Sequence, residues 1–400
     1  MPSCVIIVEN LPVPFDRRVW QEAQALRDAG WNVSVICPAS IQHPERFVIL
    51  DEIAIYRHSL PLEARGKLGF LLEYASALFH EGRLLLKIAL TRGFDVIQVC
   101  NPPDLLFLNA LPYKFFGKRL VFDHHDLCPE LFVAKFSRKG LFYSLLLLAE
   151  KVSVKCADLV ISSNDTYRDI AIHRDGQAPE KVVTVYSVPT QAGMHRVAPN
   201  QALRKGARIV LGYVGIIGDQ DGLDHLVRMQ HHLINDFGRS DVRTLVVGDG
   251  PALNAAQSLA QQLGVANSIT FTGYLRGQEL LSALSTFDIG IIPDPINEYN
   301  DKISMNKVFE YSALGLPSVA YNLSETRRLL GSAGRFAEDS TPFGLARVCL
   351  ALIDDEKARA DCGRAARALA VERFDWEHER TKYVAAYERL MRPVGSSAAR

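Results

Sequence analysis

The sequence predicts an α/β protein with two doubly wound domains. Short β-branched segments alternate with segments of helical periodicity along the chain, which is the pattern of parallel sheets covered by helices on both faces. The chain has 400 residues, 48% of them hydrophobic, so it can bury more than one core. Residues 187–206 contain prolines and small residues without a sustained period, and they indicate a linker between two similar series.

The first series opens with a β-α-β unit. Residues 4–8 and 33–37 are β-branched runs that predict strands. Asp16 is a suitable N-cap for the helix between them, and Gly30 is suited to closing that helix. One face of the helix is apolar and consists of Val19, Ala23 and Leu26. Further strands are predicted at residues 96–99, 120–122, 159–162 and 182–186.

The second series repeats the pattern after the linker. Strands are predicted at residues 209–214, 244–247, 269–271, 289–292 and 318–321, and helices at 254–263, 306–314 and 376–390. The predicted organisation is an N-terminal domain at 1–190, a linker at 191–206, a C-terminal domain at 207–373 and a closing segment at 374–392. Because ligands bind at the carboxyl ends of the strands in such sheets, we expect the site in a cleft between the two domains.

Composition disfavours several classes of protein. Lys plus Arg and Asp plus Glu both number 45, so the formal net charge is zero and no overall field attracts nucleic acid. Seven dispersed cysteines without a C-x-x-C pair argue against a disulfide framework or a zinc site and favour a reducing cytoplasm. The first strand does not resemble a signal peptide, and no apolar run reaches the roughly 20 residues of a membrane span. We expect a soluble or peripheral protein.

The most informative segment is NDKISMNKVFEYSALGLPSVAYN at residues 300–322, a polar loop followed by a helix and a buried strand. A helix N-terminus at the ligand edge of a sheet offers unpaired N–H groups to an anion such as a diphosphate. Lys302 and Lys307 flank that end, where the helix dipole disfavours cations unless an anion is close. Glu310, one turn further on, is placed to accept hydrogen bonds from a ribose. The alternative is a surface loop with solvated side chains.

Two glycine-rich loops follow predicted strands of the second series. The first contains Gly215, Gly218 and Gly222, and the second consists of Gly248, Asp249 and Gly250. Glycines let the backbone approach a ligand closely, although the same spacing occurs in plain turns. Asp219 and Asp221 in the first loop offer too few oxygen ligands for a metal, so none is expected. Tyr274 follows the next strand on the same edge.

In the N-terminal half, His124 and His125 come directly after a predicted strand. Histidine titrates near neutrality and the carboxyl end of a strand is a usual place for ligands, so His125 is a candidate catalytic residue. A buried histidine paired with Asp123 or Asp126 is the alternative. Arg17 and Arg18 occupy the first turn of a helix and are candidates for phosphate or acceptor binding; the alternative is an exposed pair balanced by neighbouring acids.

Six segments together resemble the retaining glycosyltransferases of family four, which have the GT-B fold of two Rossmann-like domains facing across a cleft. They are FDRRVWQEAQALRDAGWNVSVICP (15–38), FDHHDLCPELFVAKF (122–136), GYVGIIGDQDG (212–222), VVGDGP (246–251), the segment 300–322 and FDWEHERTKYVAAYERL (374–390). The resemblance covers nearly the whole chain. It is strongest to the branch that builds bacterial surface polysaccharides and O-antigens.

The resemblance implies a transferase that moves a hexosyl or related sugar from a nucleotide-diphosphate sugar to a saccharide acceptor with retention of anomeric configuration and without a metal cofactor. The departing phosphate itself takes the acceptor proton, and His125 aligns with the histidine of the sugar site. The donor is expected to bind the C-terminal domain at Gly215, Gly218, Gly248, Asp249, Gly250, Tyr274, Lys302, Ser304, Met305, Asn306 and Glu310.

This sequence departs from the family pattern at two places. The family has two acidic residues eight apart; Glu310 matches the second, and Lys302 stands where the first is expected. The glycine loop also lacks the usual basic pair. Our hypothesis is that Lys302 binds the diphosphate in place of the missing basic pair. Two rival functions are a catalytically weak subunit of a polysaccharide assembly complex and, less favoured, a nicotinamide-dependent dehydrogenase, since residues 212–222 lack the full G-x-G-x-x-G order.

Two segments are candidates for contact with a membrane or a lipid-linked acceptor at the inner face of the cell membrane. Residues 68–90 have helical periodicity with several aromatic residues, Phe70, Tyr74 and Phe79 among them. Residues 135–155 join a basic start to a leucine-rich run, a combination that suits an interfacial helix. A core helix with a solvated basic end is the alternative for each.

Overall fold

The computed structural model describes residues 1–59 and 67–392, and the side chains of all of these except residues 67–74. The chain divides into two compact units. The first contains Met1–Val133, Ser137–Tyr186 and the chain from Glu379 onward, and the second contains Ala134–Phe136 and Ser187–His378. Each unit is built around one largely parallel sheet.

The sheet of the first unit has eight strands in the order β3-β4-β2-β1-β5-β6-β7-β8. Neighbouring strands are parallel, except that β3 is antiparallel to β4. The strands are β1 Ser3–Val8, β2 Asn32–Pro38, β3 Phe47–Leu50, β4 Ile53–His58, β5 Val96–Cys100, β6 Arg119–His124, β7 Leu159–Ser162 and β8 Val182–Thr184. The chain winds outward from β1 and then returns to β5 on its other side, so the topological switch point lies between these two strands.

In the described part of the chain, six helices connect these strands: α1 Arg17–Asp28, α2 Lys67–Thr91, α3 Phe107–Lys114, α4 Cys128–Phe136, α5 Leu141–Cys156 and α6 Asp165–His173. Asp16 caps α1 as predicted, since its side chain accepts from the Val19 N–H at 3.1 Å. The predicted apolar face of α1 is completely buried. Gly30 has φ of +84° just beyond the helix end, a conformation that favours glycine.

The sheet of the second unit has six parallel strands in the order β11-β10-β9-β12-β13-β14. They are β9 Ile209–Val214, β10 Val242–Val247, β11 Ile269–Phe271, β12 Ile289–Ile292, β13 Ser318–Tyr321 and β14 Gly334–Ala337. Its switch point lies between β9 and β12, so the loops that follow these strands occupy the usual position of a ligand site.

The helices that follow in the chain are α7 Gln201–Arg204, α8 Leu223–Asn235, α9 Leu253–Gln262, α10 Gly277–Leu284, α11 Asn306–Ala313, α12 Ser324–Leu330, α13 Pro342–Asp354, α14 Glu356–Glu372 and α15 Trp376–Met391. Short 3-10 helices lie at Asp104–Leu106, Pro179–Lys181, Asp219–Asp221, Ala266–Ser268 and Gly331–Ala333. The last helix, α15, begins in the second unit, and from Glu379 its residues belong to the first.

The predicted α/β class with two doubly wound domains is confirmed. Three strands that the sequence analysis left unassigned are β3, β4 and β14. The basic and leucine-rich segment is not one helix: α4 ends at Phe136, Ser137 adopts a left-handed φ of 51°, and α5 begins at Leu141. In the other candidate membrane segment, the side chains of Phe70 and Tyr74 lie outside the described residues. Within the described ranges, no helix is both long enough and apolar enough to cross a bilayer.

Candidate functional site

The glycine loops that follow β9 and β10 interlock at the switch point of the second sheet. The Ile217 N–H donates to the Asp249 carbonyl at 3.0 Å. Gly248 and Gly250 have φ of 142° and 158°, and a Cβ at these positions would lie 1.9 Å from the Gly215 carbonyl oxygen and 2.5 Å from that of Ile217. The two loops therefore fit together only because glycine occupies both positions.

The end of the first loop is held by Asp221. Its Oδ2 accepts from the Gly218 N–H at 2.8 Å, so this carboxylate caps a turn within the loop. Gly222 has φ of +68°, and a Cβ there would lie 2.2 Å from the Pro293 carbonyl oxygen. The glycine loop is thus packed against the segment that follows β12 and precedes α11.

Tyr274 lies beside the second loop. The Gly248 N–H donates to the Gly273 carbonyl at 3.0 Å, and Tyr274 follows directly with a side chain that is 52% exposed. An exposed aromatic ring next to two glycine loops offers a surface on which a base can stack.

A turn at residues 297–305 leads into α11. Asn297 Oδ1 accepts from the N–H groups of Tyr299 and Asn300 at 3.0 and 2.8 Å. The Lys302 N–H donates to the Tyr299 carbonyl at 3.0 Å. The Asn300 Nδ2 also donates to the Gln220 carbonyl at 3.2 Å, which connects this turn with the first glycine loop. The turn that carries Lys302 is therefore fixed to the loop region.

The first turn of α11 completes this group of candidate residues. Ser304 Oγ donates to Glu325 Oε1 at 2.7 Å, Met305 is buried at the N-cap and the helix begins at Asn306. Glu310 lies one turn further along and is half-buried. The polar side chain of Ser304 is consequently oriented by α12 rather than by solvent.

Lys307 does not flank the helix end as a freely available cation. Its Nζ lies 2.9 and 2.8 Å from the two carboxylate oxygens of Asp294 and 5.1 Å from the centre of the Tyr213 ring. Burial disfavours the ammonium, but Asp294 and Asp221 outweigh burial and raise the pKa of Lys307 above its ordinary value. Lys307 therefore serves a buried ion pair beneath the loops. Asp294 was not among the predicted site residues, and its signal in the sequence is its place two residues after β12.

In the first unit, His125 follows β6 and is held at two points. Its Nε2 lies 2.6 Å from Asp123 Oδ2, and its backbone N–H donates to Asn101 Oδ1 at 2.6 Å. The Asn101 Nδ2 donates to the Asp126 carbonyl, which fixes the backbone of the same loop. The ring keeps 16% of its surface exposed while Asp123 has none. Pairing with Asp123 is one of the two alternatives to a catalytic role that the sequence left open for His125. Because Nε2 faces Asp123, Nδ1 is the ring nitrogen on the side away from this carboxylate.

His124 is a core residue. Its ring is fully buried, with centroids 5.3 Å from Phe122 and 5.2 Å from Tyr167. Among the residues that the structure describes, neither ring nitrogen has a hydrogen-bond partner. Burial lowers the pKa of His124 to about 3, so the ring is neutral at physiological pH.

Arg18 is buried rather than exposed. Its guanidinium lies 2.7 Å from Asp123 Oδ1 and 3.1 Å from Glu22 Oε1, and it donates to the Val185 carbonyl at 2.7 Å. These contacts use its donors within the protein. The adjacent Arg17 is half-buried and remains the candidate of the pair for binding an anion.

Cys100, Asp123 and His125 are the one group of three metal-ligating side chains whose ligand atoms lie within 4.8 Å of one another among the described residues. Their environment does not suit a cation. Arg18 already compensates the charge of Asp123, and burial raises the pKa of the Cys100 thiol well above its ordinary value, so the thiol keeps its proton. A thiolate is the form of cysteine that binds metals.

The structure brings the predicted donor residues of the second unit into one region at the switch point, namely the two glycine loops, the turn at 297–305 and the start of α11. In the first unit, Arg17 and Arg18 at the start of α1 and His125 after β6 lie near the carboxyl edge of the sheet, and Asp123 joins Arg18 to His125. Two doubly wound domains with these strand-end loops define the GT-B fold.

Comparisons with known proteins agree with this class. A model described as "Glycosyltransferase Family 4" matches residues 16–187, and one described as "Glycosyl transferases group 1" matches residues 208–355. The chain is 30% identical to a phosphatidyl-myo-inositol mannosyltransferase of Mycolicibacterium smegmatis over 95% of this chain and 91% of that protein. The chain therefore belongs to the family 4 glycosyltransferases.

Other relatives match over a smaller part. A 2-deoxystreptamine glucosyltransferase of Streptomyces kanamyceticus is 28% identical over 46% of each chain, so the match spans about half the length of that protein. Among solved structures, the sucrose-phosphate synthase of Thermosynechococcus elongatus has a TM-score of 0.78 at 16% identity, covering 98% of this chain and 99% of that one. Anabaena HepE, solved in complex with UDP-glucose, has a TM-score of 0.70 at 18% identity, covering 97% and 99%.

Proposed function

We propose that this protein is a retaining glycosyltransferase that moves a sugar from a nucleotide-diphosphate sugar to a saccharide acceptor. The observation that carries the proposal is the interlocked pair of glycine loops beside the start of α11, at the switch point of the second sheet. Backbone amides at such an edge bind phosphate groups, and close approach requires the absence of side chains. The family relatives named above include glucosyl- and mannosyltransferases, which supports this class of reaction.

Within this site, Lys302 supplies the positive charge for the diphosphate. Lys307 is committed to Asp294, whereas Lys302 lies in the turn that Asn300 connects to the first glycine loop. Glu310, one turn into α11, accepts from the donor ribose, and Tyr274 borders the base. The family acid that Lys302 replaces would contact sugar hydroxyls, so we expect this enzyme to hold the sugar by other groups.

Retention is explained by a reaction on one face of the donor sugar. The departing phosphate accepts the proton of the acceptor hydroxyl, while the protein orients both substrates and stabilises the charge of the leaving group. Lys302 and the amides of α11 stabilise the diphosphate, and His125 contacts the sugar. No metal is needed in this scheme because the ammonium takes the role of a cation.

Donor binding is tested with a thermal-shift panel of UDP, GDP, ADP and CMP. A ligand that binds only the native state raises the melting temperature, so one nucleoside diphosphate is expected to stabilise the protein above the others. Lys302→Ala should raise the Kd of that nucleoside diphosphate at least about tenfold, equivalent to ~1.4 kcal/mol. Lys302→Arg should retain most of the wild-type affinity. An unchanged Kd in Lys302→Ala would refute the proposed contact between Lys302 and the diphosphate.

Transfer and stereochemistry are tested with the donor that the panel selects. The anomeric configuration of the new bond, followed by proton NMR during the first turnovers, should equal that of the donor. Inversion would overturn the proposed mechanism. Hydrolysis or transfer by the purified chain would also exclude the rival function of a catalytically weak assembly subunit.

We further propose that the acceptor is lipid-linked and that the enzyme works at the cytoplasmic face of the membrane in polysaccharide assembly, such as exopolysaccharide or O-antigen synthesis. On α5, Leu141, Leu145 and Leu148 are 80%, 51% and 56% exposed and share one helix face by their spacing. Arg138 and Lys139 precede this face and are exposed. An exposed leucine face beside basic residues suits an anionic bilayer surface.

Co-sedimentation with vesicles tests this surface. Vesicles with anionic lipid should bind the protein, and vesicles of zwitterionic lipid should bind it more weakly. Charge reversal at Lys135, Arg138 and Lys139 should release it. The control is a matched triple charge reversal at the exposed residues Lys181, Lys205 and Arg208. If both triple variants are released equally, the loss of binding follows from the change in net charge and not from the surface at α5.

A further inference from the structure

A buried chain of hydrogen bonds joins the last helix to His125. Its centre is Gln98 on β5, which is completely buried. The Gln98 Oε1 accepts from the hydroxyl of Tyr383 at 2.8 Å and from that of Tyr387, both on α15. A buried amide that is fully hydrogen-bonded is held in one orientation, because any rotation leaves a polar group without a partner.

The other end of the same amide faces two acids. The Gln98 Nε2 donates to Glu22 Oε2 at 2.7 Å and to Asp123 Oδ2 at 3.2 Å. The tyrosine hydroxyls donate to Gln98 Oε1, so the amide nitrogen is directed to the carboxylates. A flipped amide would place its carbonyl oxygen against Asp123 Oδ2, and two acceptor oxygens cannot form a hydrogen bond with each other.

Asp123 is the point at which the chain reaches His125. This carboxylate has no exposed surface and receives Arg18 at 2.7 Å, Gln98 at 3.2 Å and His125 Nε2 at 2.6 Å. Burial opposes its charge, but Arg18 and His125 outweigh burial and hold the pKa of Asp123 well below its usual range. A charged carboxylate accepts only, so His125 must carry its proton on Nε2 to make this bond.

We infer that Asp123, Gln98, Tyr383 and Tyr387 are positioning residues that hold His125 in the Nε2–H tautomer and leave Nδ1 as the nitrogen that contacts the sugar. This inference rests on the proposed function for the role of His125 in transfer, but the tautomer itself does not depend on that function. It makes α15 a part of the catalytic apparatus of the first unit rather than only a packing helix.

The direct test is a nitrogen NMR spectrum of protein labelled with ¹⁵N at histidine, with the His125 signals assigned by their loss in His125→Ala. Wild-type protein at pH above 8 should show the Nε2–H pattern for His125. Asp123→Asn should change this pattern and lower kcat by about 100-fold, because a His125 ring that is no longer held in place misplaces its contact to the sugar. Donor KM should change far less than kcat. An unchanged His125 pattern in Asp123→Asn, or an Nδ1–H pattern in the wild type, would overturn the inference.

Asp123→Asn removes the acid nearest to the buried Arg18 and leaves Glu22 to balance its charge, so the variant risks misfolding. A second variant, Tyr383→Phe with Tyr387→Phe, removes two hydroxyls and keeps the shape of both rings. It should move the His125 signals and lower kcat about three- to tenfold.

The matched control is Asp28→Asn, which breaks the exposed pair between Asp28 and Arg380 that also joins α1 to α15. It should leave both the His125 spectrum and kcat unchanged. If this control and the double tyrosine variant change the His125 spectrum and kcat equally, the cause is the packing of α15 against α1. That result would refute the role of the hydrogen-bond chain. If no donor supports transfer, the proposed function fails while the NMR spectra still decide the tautomer.

Discussion

Gly248→Ala is the substitution that most sharply probes the proposed donor site. The new Cβ would lie 1.9 Å from the Gly215 carbonyl oxygen, about 1.5 Å closer than an ordinary contact, and that neighbour is backbone that cannot rotate away. The two glycine loops must therefore separate by about this distance. A 1 Å misplacement in a binding site can cost on the order of 100-fold in rate. We expect nucleotide Kd to rise at least about tenfold and transfer to fall about 100-fold.

The control for this substitution is Gly264→Ala. Gly264 also has a positive φ, +71°, but nothing lies within 4 Å of the position of its Cβ. An alanine in the left-handed region costs about 1–2 kcal/mol by backbone strain alone. Gly264→Ala should thus lower stability in urea unfolding by this amount and leave nucleotide Kd unchanged in isothermal titration calorimetry. Wild-type affinity in Gly248→Ala, or equal losses of affinity in the two variants, would refute the argument that the interlocked loops form the site.

Three further predictions follow from the buried charges and from the proposed chemistry. Lys307→Met leaves Asp294 buried without its partner and should cost about 3–5 kcal/mol in urea unfolding, whereas Lys302→Met should cost less than about 1 kcal/mol; equal costs would contradict the distinct roles of the two lysines. His124 has a pKa of about 3 in the native state and about 6.5 when unfolded, so the unfolded state binds a proton first as pH falls and stability is lost below pH 6.5, by about 2 kcal/mol at pH 5. His124→Leu should reduce the drop in unfolding free energy between pH 7.5 and 5 by about that amount, and an undiminished drop would contradict a neutral His124. Transfer should survive dialysis against EDTA; loss of activity that Mg²⁺ or Mn²⁺ restores would contradict the metal-free scheme.

The sheets were predictable because their central strands are buried on both faces. Such strands are rich in β-branched residues, and β7, β9, β12 and β13 have the predicted bounds, as does the edge strand β11. The hairpin of β3 and β4 was missed for a local reason. Its two-residue turn is Asp51-Glu52, with φ of 47° and 64°, rather than the Asn-Gly or Asp-Gly sequence that usually marks such a turn.

The roles of individual charged side chains were less predictable. Lys302 and Lys307 look equivalent in the sequence, yet the fold buries Lys307 in an ion pair with Asp294 from another strand end. Arg18 looks like an exposed helix-end cation, yet the fold brings Asp123 to it from 105 positions away. The partners of these side chains come from strands that are distant in the sequence. The local periodicity around each residue therefore does not indicate which charged groups it will contact. The glycine loops were recognisable because positive φ and close backbone approach restrict the residue type at the position itself.

The most direct test of the account is a crystal structure with the nucleoside diphosphate that the thermal-shift panel selects. We expect the diphosphate to lie within hydrogen-bond distance of backbone amides of the first glycine loop or the start of α11, with Lys302 Nζ directed to its oxygens and Glu310 at the ribose. A nucleotide bound elsewhere, or one bound here with Lys302 directed away from the diphosphate, would contradict the proposed donor site.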